Sequence, residues 1–419
     1  MTATHGTPST GDGLRASAPS APASPLEPLC ARFAAGDAVV AGVLSGTSGD
    51  GIDVALVRMG LDPARAGEPV ILESIAFDTL DFPVELGKRV RSALDGAPLG
   101  LRESALLTRD LGWAFGAAAR ALALREGRPL DLVGSHGQTV YHHDGRETSG
   151  PATLQLGDGD FVAEAARAAV VSDFRSRDIA AGGEGAPISA LADDLLFAHA
   201  PRPCGILNLG GMGNLTILRD DPATLSSFDT GPANALLDGL ARRLYGAPYD
   251  KNGARALTGR ARPELVDELM RHPFFDLRPP RSTGRDTFGE AWVDGVVERA
   301  RTHRGLRQED LLATANTFVA RTVQVALERF VPDPLAVLCV AGGGIHNRAL
   351  CAALATETRA ELVASDDLGV PADAREGLVF AILAARCVLG RPVTRTTATG
   401  ARAGRMLGKI SLSALGTAR

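Results

Sequence analysis

Two glycine-rich turns, each set between two short apolar runs, constrain this chain more than any other feature. The first is "GVLSGTSGDGIDVALV", Gly42 to Val57, and the second is "CGILNLGGMGNLTILRD", Cys204 to Asp220. An apolar run, a glycine cluster and a second apolar run read as a β-hairpin. A third cluster, in "AVLCVAGGGIHNRALCAALA", differs in that a strand enters it and an amphipathic helix leaves it. "PVILESIAFDTL" reads as a strand following the first hairpin, and the Leu-, Ala- and Arg-dense stretch from Glu85 to Glu126 has helical periodicity. "LDLVGSHGQTVYHH" reads as a strand running into a polar turn. Hairpins opening two similar halves, with a late strand–GGG–helix, predict a duplicated α/β core with a cleft between its halves.

A chain of 419 residues is long enough for two packed domains. Its net charge of -5 argues against a nucleic-acid binder, which would carry a basic face. No apolar run approaches the roughly 18 residues that span a bilayer, so no membrane partner is expected. The cysteines, Cys30, Cys204, Cys339, Cys351 and Cys387, are scattered and include no C-x-x-C pair. That favours a reducing cytoplasm over a disulfide framework or a zinc site. The start of the chain is rich in Ala, Pro, Ser, Thr and Gly and nearly empty of large apolar residues, so residues 1–38 are expected to form a disordered tail.

Glycine lets the backbone adopt positive φ and lets a ligand approach the main chain. Successive backbone N–H groups in such turns make an anion-binding nest, and Ser45, Thr47 and Ser48 add hydroxyl donors. A second cradle at Gly210, Gly211, Gly213 and the Asn214 amide suits a polyphosphate held across a cleft. No G-x-x-x-x-G-K-[ST] string occurs, and both hairpins lead into strands, which excludes a P-loop and a dinucleotide fingerprint. Gly342 to Gly344 open a helix and are placed to receive an adenosine or its α-phosphate. Carboxylates beside phosphates repel unless a cation intervenes, so Asp50 and Asp53 imply Mg²⁺ with retained waters; a turn cap is the simpler role for Asp50.

Asp229, in "SSFDTGPANALLDGLARRL", precedes a Thr-Gly-Pro turn that opens a helix. It is either a helix N-cap or a general base pointing into the cleft. "VVSDFRSRDIAAGGEGAPI" gathers Asp173, Arg175, Arg177 and Asp178, either as a surface ion network or with one arginine gripping a substrate carboxylate. His136 has no second ligand at metal spacing and reads as structural, while Gln138 and Thr139 offer hydrogen-bonding tips suited to sugar hydroxyls.

"SGTSGDGID", "GSHGQT", "DFRSRDIAAGGEGAPI", "LNLGGMGNLT", "FDTGPAN", "RSTGRDTF", "AGGGIHN" and "VPADAREGLVFAILA" follow one another in this order. In them the chain resembles the anhydro-N-acetylmuramic acid kinases of bacterial cell-wall recycling, within the actin/Hsp70/sugar-kinase superfold. The resemblance implies two actin-like (ribonuclease H-like) α/β domains with an ATP cleft between them, one from residues 39–172 plus 391–419 and one from 173–390. It implies hydrolytic opening of the 1,6-anhydro ring of 1,6-anhydro-N-acetylmuramic acid, coupled to phosphorylation of O6. Asp229 would deprotonate the attacking water. Ser45, Gly46, Thr47, Ser48, Gly49, Asp50, Gly51 and Ile52 would form the first ATP loop, with Gly210, Gly211 and Asn214 in the second and Gly342, Gly343 and Gly344 at the adenosine. Gln138, Thr139, Arg177 and Glu376 would contact the sugar, and Asp50 would meet Mg²⁺ through water. A cytoplasmic homodimer is implied. Glu184, Ala233 and Asp158 depart from the family's usual residues, and Glu184 adds a charge close to the site. The alternatives are another sugar or acid kinase of this superfold, or a non-catalytic nucleotide-dependent actin-like protein.

Overall fold

The computed structural model describes residues 24–46, 49–143, 145, 150–221, 224–393 and 396–413. Its first half contains α1 (Glu27–Ala35), β1 (Ala38–Ser45), β2 (Gly51–Asp62), β3 (Glu68–Asp81), α2 (Val84–Leu94), α3 (Leu101–Arg125), β4 (Leu132–His143), β5 (Ala152–Leu156), α4 (Gly159–Ala166), β6 (Ala169–Ser172), α5 (Phe174–Ala180) and α6 (Ala190–Leu196). The second half contains β7 (Cys204–Leu209), β8 (Met212–Leu218), β9 (Ser226–Pro232), α7 (Asn234–Tyr245), α8 (Pro263–Leu269), α9 (Arg285–Phe288), α10 (Glu290–Thr302), α11 (Gln308–Phe330), β10 (Val337–Ala341), α12 (Arg348–Thr358), β11 (Leu362–Ala364), α13 (Arg375–Val388), α14 (Thr396–Thr399) and β12 (Lys409–Ser411).

Both expected hairpins are present, β1–β2 and β7–β8. In the first sheet β2 is antiparallel to β1 and to β3, while β4 is parallel to β1 and β6 is parallel to β4. In the second, β8 is antiparallel to β7 and to β9, while β10 is parallel to β7 and β11 is parallel to β10. The orders β3-β2-β1-β4-β6 and β9-β8-β7-β10-β11 are therefore the same sheet built twice. β12 and β5 add to the first sheet alone.

Side-chain alternation divides the apolar residues into three cores. Along β1, Val39, Ala41 and Val43 pack outward under α3, while Ala38, Val40 and Leu44 face the second half of the molecule. Along β7, Cys204 and Ile206 join that same middle core, and Leu207 and Leu209 enter a separate one under α7 and α11. Strands buried on both faces explain why "AVVAGVLS" reads as a continuous apolar run.

α13 fills the middle core and lies against β1, β4 and β2. The contact is backbone to backbone, since a Cβ on Gly42 would stand 1.7 Å from Gly377 O and one on Gly134 would stand 2.1 Å from Phe380 O. A helix expected within the second domain thus packs on the first sheet, because the glycines of β1 and β4 leave a groove only a helix backbone fits. The tail also ends earlier than expected: Glu27–Ala35 is helical, and Leu29 and Phe33 are buried in the middle core. The pairing of two apolar side chains with that core outweighs the local composition.

"GSHGQT" is strand rather than turn. β4 runs on to His143, and its pairing with β1 steps from Ser135↔Val43 to Gly137↔Leu44, leaving His136 as the extra residue of a bulge. Gly137 takes φ 78°, and a Cβ there would meet Leu156 O at 2.5 Å. A second bulge occurs in the other sheet, between β8 and its edge strand β9. β8 and β9 pair Gly213↔Gly231 and then Asn214↔Asp229, which skips Thr230. Bulges of this kind redirect side chains beside functional sites.

Candidate active site

Asp229 lies within β9, and the N-cap position of α7 is Ala233. The helix-cap role is thereby removed. The first N–H groups of α7 instead donate to the second glycine turn: Asn234 N to Gly210 O at 3.0 Å, and Ala233 N and Ala235 N to Gly211 O at 2.9 and 3.0 Å.

Asp229 is buried, with 8% of the residue exposed. Asn214 Nδ2 donates to its Oδ1 at 2.9 Å and the Thr283 N–H to its Oδ2 at 2.8 Å. Its backbone is clamped too, with Asp229 N donating to Arg281 O at 3.0 Å and Arg281 Nε donating to Asp229 O at 2.9 Å. The Arg281 guanidinium is buried over the rings of Phe274, Phe330 and Phe228. Burial raises the Asp229 pKa from its ordinary 3.8 to about 6; the donors at Asn214 and Thr283 and the Arg281 charge oppose the rise, and Glu184 adds to it. Glu184 is held beside the site by Ser282 Oγ, which donates to its Oε2 at 2.9 Å. A desolvated carboxylate with a pKa near the working pH is what a general base requires.

Arg175 and Glu376 complete the charged surroundings. Glu376 is exposed in the first turn of α13, and Asn208 Nδ2 donates to its Oε1 at 3.3 Å. The turn is pinned by Arg375, whose Nη2 binds Asp193 of α6 at 2.5 and 2.6 Å, both side chains being buried. Arg175 donates through Nε to His136 Nε2 at 2.9 Å and through Nη1 to Gly185 O at 2.9 Å. Burial lowers its pKa, while Glu376, Asp229 and Asp178 oppose the shift, so its charge faces both site carboxylates. His136 lies against the Phe380 ring at 4.5 Å between centroids, and its other nitrogen, Nδ1, meets Gly137 O at 3.2 Å. Burial first, then the Arg175 charge, pushes the imidazole pKa down to about 3. A neutral ring protonated on Nδ1 can accept from Arg175 on Nε2, so His136 is structural in a specific sense: it aims Arg175.

Arg177 is exposed on the other side of α5 from Arg175, since residues two apart do not share a helix face. Its charge acts on Cys387, near the far end of α13 from Glu376. The structure thus brings Arg175, rather than Arg177, to Asp229 and Glu376. Gln138 is fully buried and donates through Nε2 to Gly46 O at 3.1 Å. It ties down the first glycine turn, while its Oε1 is buried without a hydrogen-bond partner. Thr139 is half-buried, its Oγ1 accepting from Gln155 Nε2 at 3.3 Å.

In the first glycine turn, Ser45 ends β1 with its Oγ buried and without a hydrogen-bond partner. Gly49 closes the turn on Gly46 O at 3.1 Å with φ 63°, and Asp50 is exposed. Gly51 and Ile52 already belong to β2, and the Ile52 side chain is part of the outer core, which leaves only its backbone for a ligand. Thr47 and Ser48 lie outside the described residues. In the second loop, the Asn214 side chain pairs with Asp229, because the β8–β9 register places them opposite each other. Gly342 and Gly344 pack against Asn208 and Leu209, while Gly210 and Gly343 have nothing nearer than 3.7 Å to a Cβ. Neither positive φ nor packing demands glycine at those last two positions, but close approach of a ligand would. Gly342 to Gly344 lead first into a short 3₁₀ turn, Gly343–His346, before α12 begins.

Asp53 accepts from Thr79 Oγ1 at 2.6 Å. Burial raises its pKa against that hydrogen bond, and the charges of Glu376, Asp50 and Asp373 raise it further. Carboxylate oxygens such as those of Asp50 and Asp53 suit Mg²⁺. Among the described residues no three metal-ligating side chains are grouped closely enough to hold an ion by themselves. The donor set therefore fits an ion that keeps waters and takes its other ligands from phosphate.

Two sheets of one topology, each with a glycine turn in its first hairpin, and a desolvated carboxylate on β9 fit the fold class of the actin-like ATPases and sugar kinases. Within that class, the chain belongs to the anhydro-N-acetylmuramic acid kinase family, whose family profile matches residues 38–413. It is 34% identical over 383 residues to the anhydro-N-acetylmuramic acid kinase of Bacillus cereus (strain G9842), covering 89% of this chain and 98% of that one. It is 37% identical over 385 residues to that of Salinibacter ruber, covering 89% and 96%. To that of Xanthomonas oryzae pv. oryzae it is 40% identical over 376 residues, covering 88% and 96%. Among solved structures, it is similar to an activator of 2-hydroxyisocaproyl-CoA dehydratase from Clostridium difficile, with TM-score 0.41, 14% identity and coverage of 84% and 96%. It is likewise similar to a ROK family glucokinase from Streptomyces griseus, with TM-score 0.37, 14% identity and coverage of 83% and 99%.

Sequence reasoning named Asp229 and Glu376 but assigned no role to Arg281, Ser282, Thr283 or Asn208. The first three lie in "RSTGRDTF", whose position beside β9 depends on a contact between segments 52 to 54 residues apart.

Proposed function

We propose that this chain is an ATP-dependent kinase that opens the 1,6-anhydro ring of 1,6-anhydro-N-acetylmuramic acid with water and phosphorylates O6, giving N-acetylmuramic acid 6-phosphate for cell-wall recycling. The observation that carries the reading is Asp229, buried in β9 with a pKa near 6 and fixed by Asn214, Thr283 and Arg281. A residue with that surrounding is costly to ionise and has no capping role, which counts against a non-catalytic actin-like protein.

In this reading Asp229 takes a proton from water. The water oxygen bonds to the anomeric carbon, the bond from that carbon to O6 breaks, and its electron pair stays on O6. The face of attack opposite O6 corresponds to an inverting glycoside hydrolysis. ATP supplies the γ-phosphoryl group that O6 then receives, a transfer that needs positioning and charge neutralisation more than covalent help. Ser45, the first turn through Ile52, Gly210, Gly211 and Gly342 to Gly344 would hold the nucleotide, with Asp50 on the metal side through water. Mg²⁺ held there would supply charge neutralisation at the phosphates. Glu376, Gln138, Thr139 and Arg175 would face the sugar; the Arg175 fork suits its lactyl carboxylate. The free cysteines fit a cytoplasmic enzyme, and the family resemblance supports a homodimer, which light scattering tests.

The direct test is ADP release with MgATP and the anhydro sugar, compared with the already opened N-acetylmuramic acid. ADP and N-acetylmuramic acid 6-phosphate from the anhydro sugar support the reading. Turnover with the opened sugar alone would make this a plain sugar kinase.

A further inference from the structure

We propose that Thr283 is a second catalytic residue, whose Oγ1 holds the attacking water against Asp229; this rests on the reaction proposed above. The backbone N–H of Thr283 donates to Asp229 Oδ2 at 2.8 Å, while its Oγ1 is buried with no hydrogen-bond partner. Those two atoms are three bonds apart, so the orphan hydroxyl lies near the carboxylate oxygen that the N–H holds, without bonding to it. A buried hydroxyl without a partner is unfavourable, and one beside a general base has an evident partner in water.

The segment is held rigidly enough to make the placement meaningful. Arg281 exchanges backbone and side-chain hydrogen bonds with Asp229, at 3.0 and 2.9 Å, and Ser282 Oγ binds Glu184 at 2.9 Å. Three consecutive residues, Arg281 to Thr283, therefore line one side of the base. Other buried hydroxyls without partners lie elsewhere: Ser45 in the first glycine turn, Ser135 in β4 and Ser365 after β11.

The chemistry of water explains what Thr283 adds. With Asp229 Oδ1 on Asn214 and Oδ2 on the Thr283 N–H, each oxygen retains a lone pair. A water that gives one O–H to Oδ2 and the other to Thr283 Oγ1 keeps both of its own lone pairs, one of which is aimed at the anomeric carbon. As the C–O bond forms, the first O–H proton moves to Asp229 and the electron pair of the breaking bond goes to O6. Thr283 gains and loses no proton; it orients the nucleophile.

Thr283→Val keeps the shape of the side chain and the backbone N–H on Asp229 while removing Oγ1, and Thr283→Ser restores the hydroxyl. Both are compared with the wild type for turnover of the anhydro sugar in ¹⁸O-water, with ATP binding measured by calorimetry as the check of folding. The expected result is a kcat about 10²-fold lower for Thr283→Val, with the KM for sugar and ATP binding little changed, and recovery to near wild-type kcat in Thr283→Ser. A Thr283→Val kcat equal to wild type overturns the inference, as does a change confined to the KM for sugar, which would place Oγ1 on the sugar instead. Absence of ¹⁸O from the wild-type product would remove the hydrolytic reading and this inference together, and the wild-type control alone identifies that case.

Discussion

Gly42 of β1 and Gly377 of α13 meet without side chains between them, and a Cβ on Gly42 would fall 1.7 Å from Gly377 O. That contact brings the first turn of α13, and Glu376 in it, to the junction of the two lobes. The fold thus sets one edge of the site through a packing of backbones rather than through a loop.

Gly42→Ala must separate β1 from α13. Overpacking of this kind costs about 1–3 kcal/mol or more. A lower apparent melting temperature and a lower kcat are expected together, because Glu376 moves with the helix. Thermal unfolding and steady-state kinetics check this, and an unchanged kcat in a destabilised variant would separate the contact from the site.

The pH profile follows from Asp229. The base must be ionised, so kcat/KM is expected to fall on the acid side through about pH 6, the value set mainly by burial. Glu184 raises that pKa, so Glu184→Gln should move the acid limb to lower pH. A limb that stays in place would show that the Glu184 charge is not felt at Asp229.

The same group makes a statement about stability. Its folded pKa of about 6 lies above the ordinary 3.8. The native state therefore favours the protonated carboxyl, a preference fully present below about pH 4 and lost as pH rises through about 6. A shift of that size corresponds to roughly 3 kcal/mol against the ionised form. Asp229→Asn carries no such titration. Its melting temperature relative to wild type should improve as pH is raised from 4 to 7, while turnover falls by about 10²–10⁴. A difference that is flat with pH would show that Asp229 is not desolvated.

His136 predicts a different signature. Removing its Nε2 acceptor, as in His136→Leu, frees Arg175 at a cost of about 1 kcal/mol. Binding of the sugar is expected to weaken several-fold, with ATP binding unchanged. Because burial holds the imidazole near pKa 3, His136 itself should not titrate between pH 6 and 8. A step in that range assigned to the His136 imidazole by NMR titration would contradict the assignment.

Much of this was legible in the sequence for physical reasons. The hairpins were visible because glycine clusters between apolar runs have few other uses, and their repetition announced the duplicated sheet. Asp229 stood out in its motif, but its two candidate roles are separated only by whether β9 reaches Pro232, which depends on pairing with β8. Choosing Arg175 over Arg177 requires knowing which face of α5 meets β4. His136 looked like turn because a bulge interrupts the alternation of β4. The pairing of Asn214 with Asp229 is set by register, which local composition does not specify. The Thr283 contact closes over 54 residues of chain and has no local signature.

The most direct test of the account is mass spectrometry of the product formed from MgATP and 1,6-anhydro-N-acetylmuramic acid in ¹⁸O-water. The account predicts N-acetylmuramic acid 6-phosphate with one heavy oxygen at the anomeric carbon, and loss of that product in Asp229→Asn with ATP binding retained. A phosphorylated sugar without the heavy oxygen, or an Asp229→Asn enzyme that still opens the ring at the wild-type rate, would contradict it.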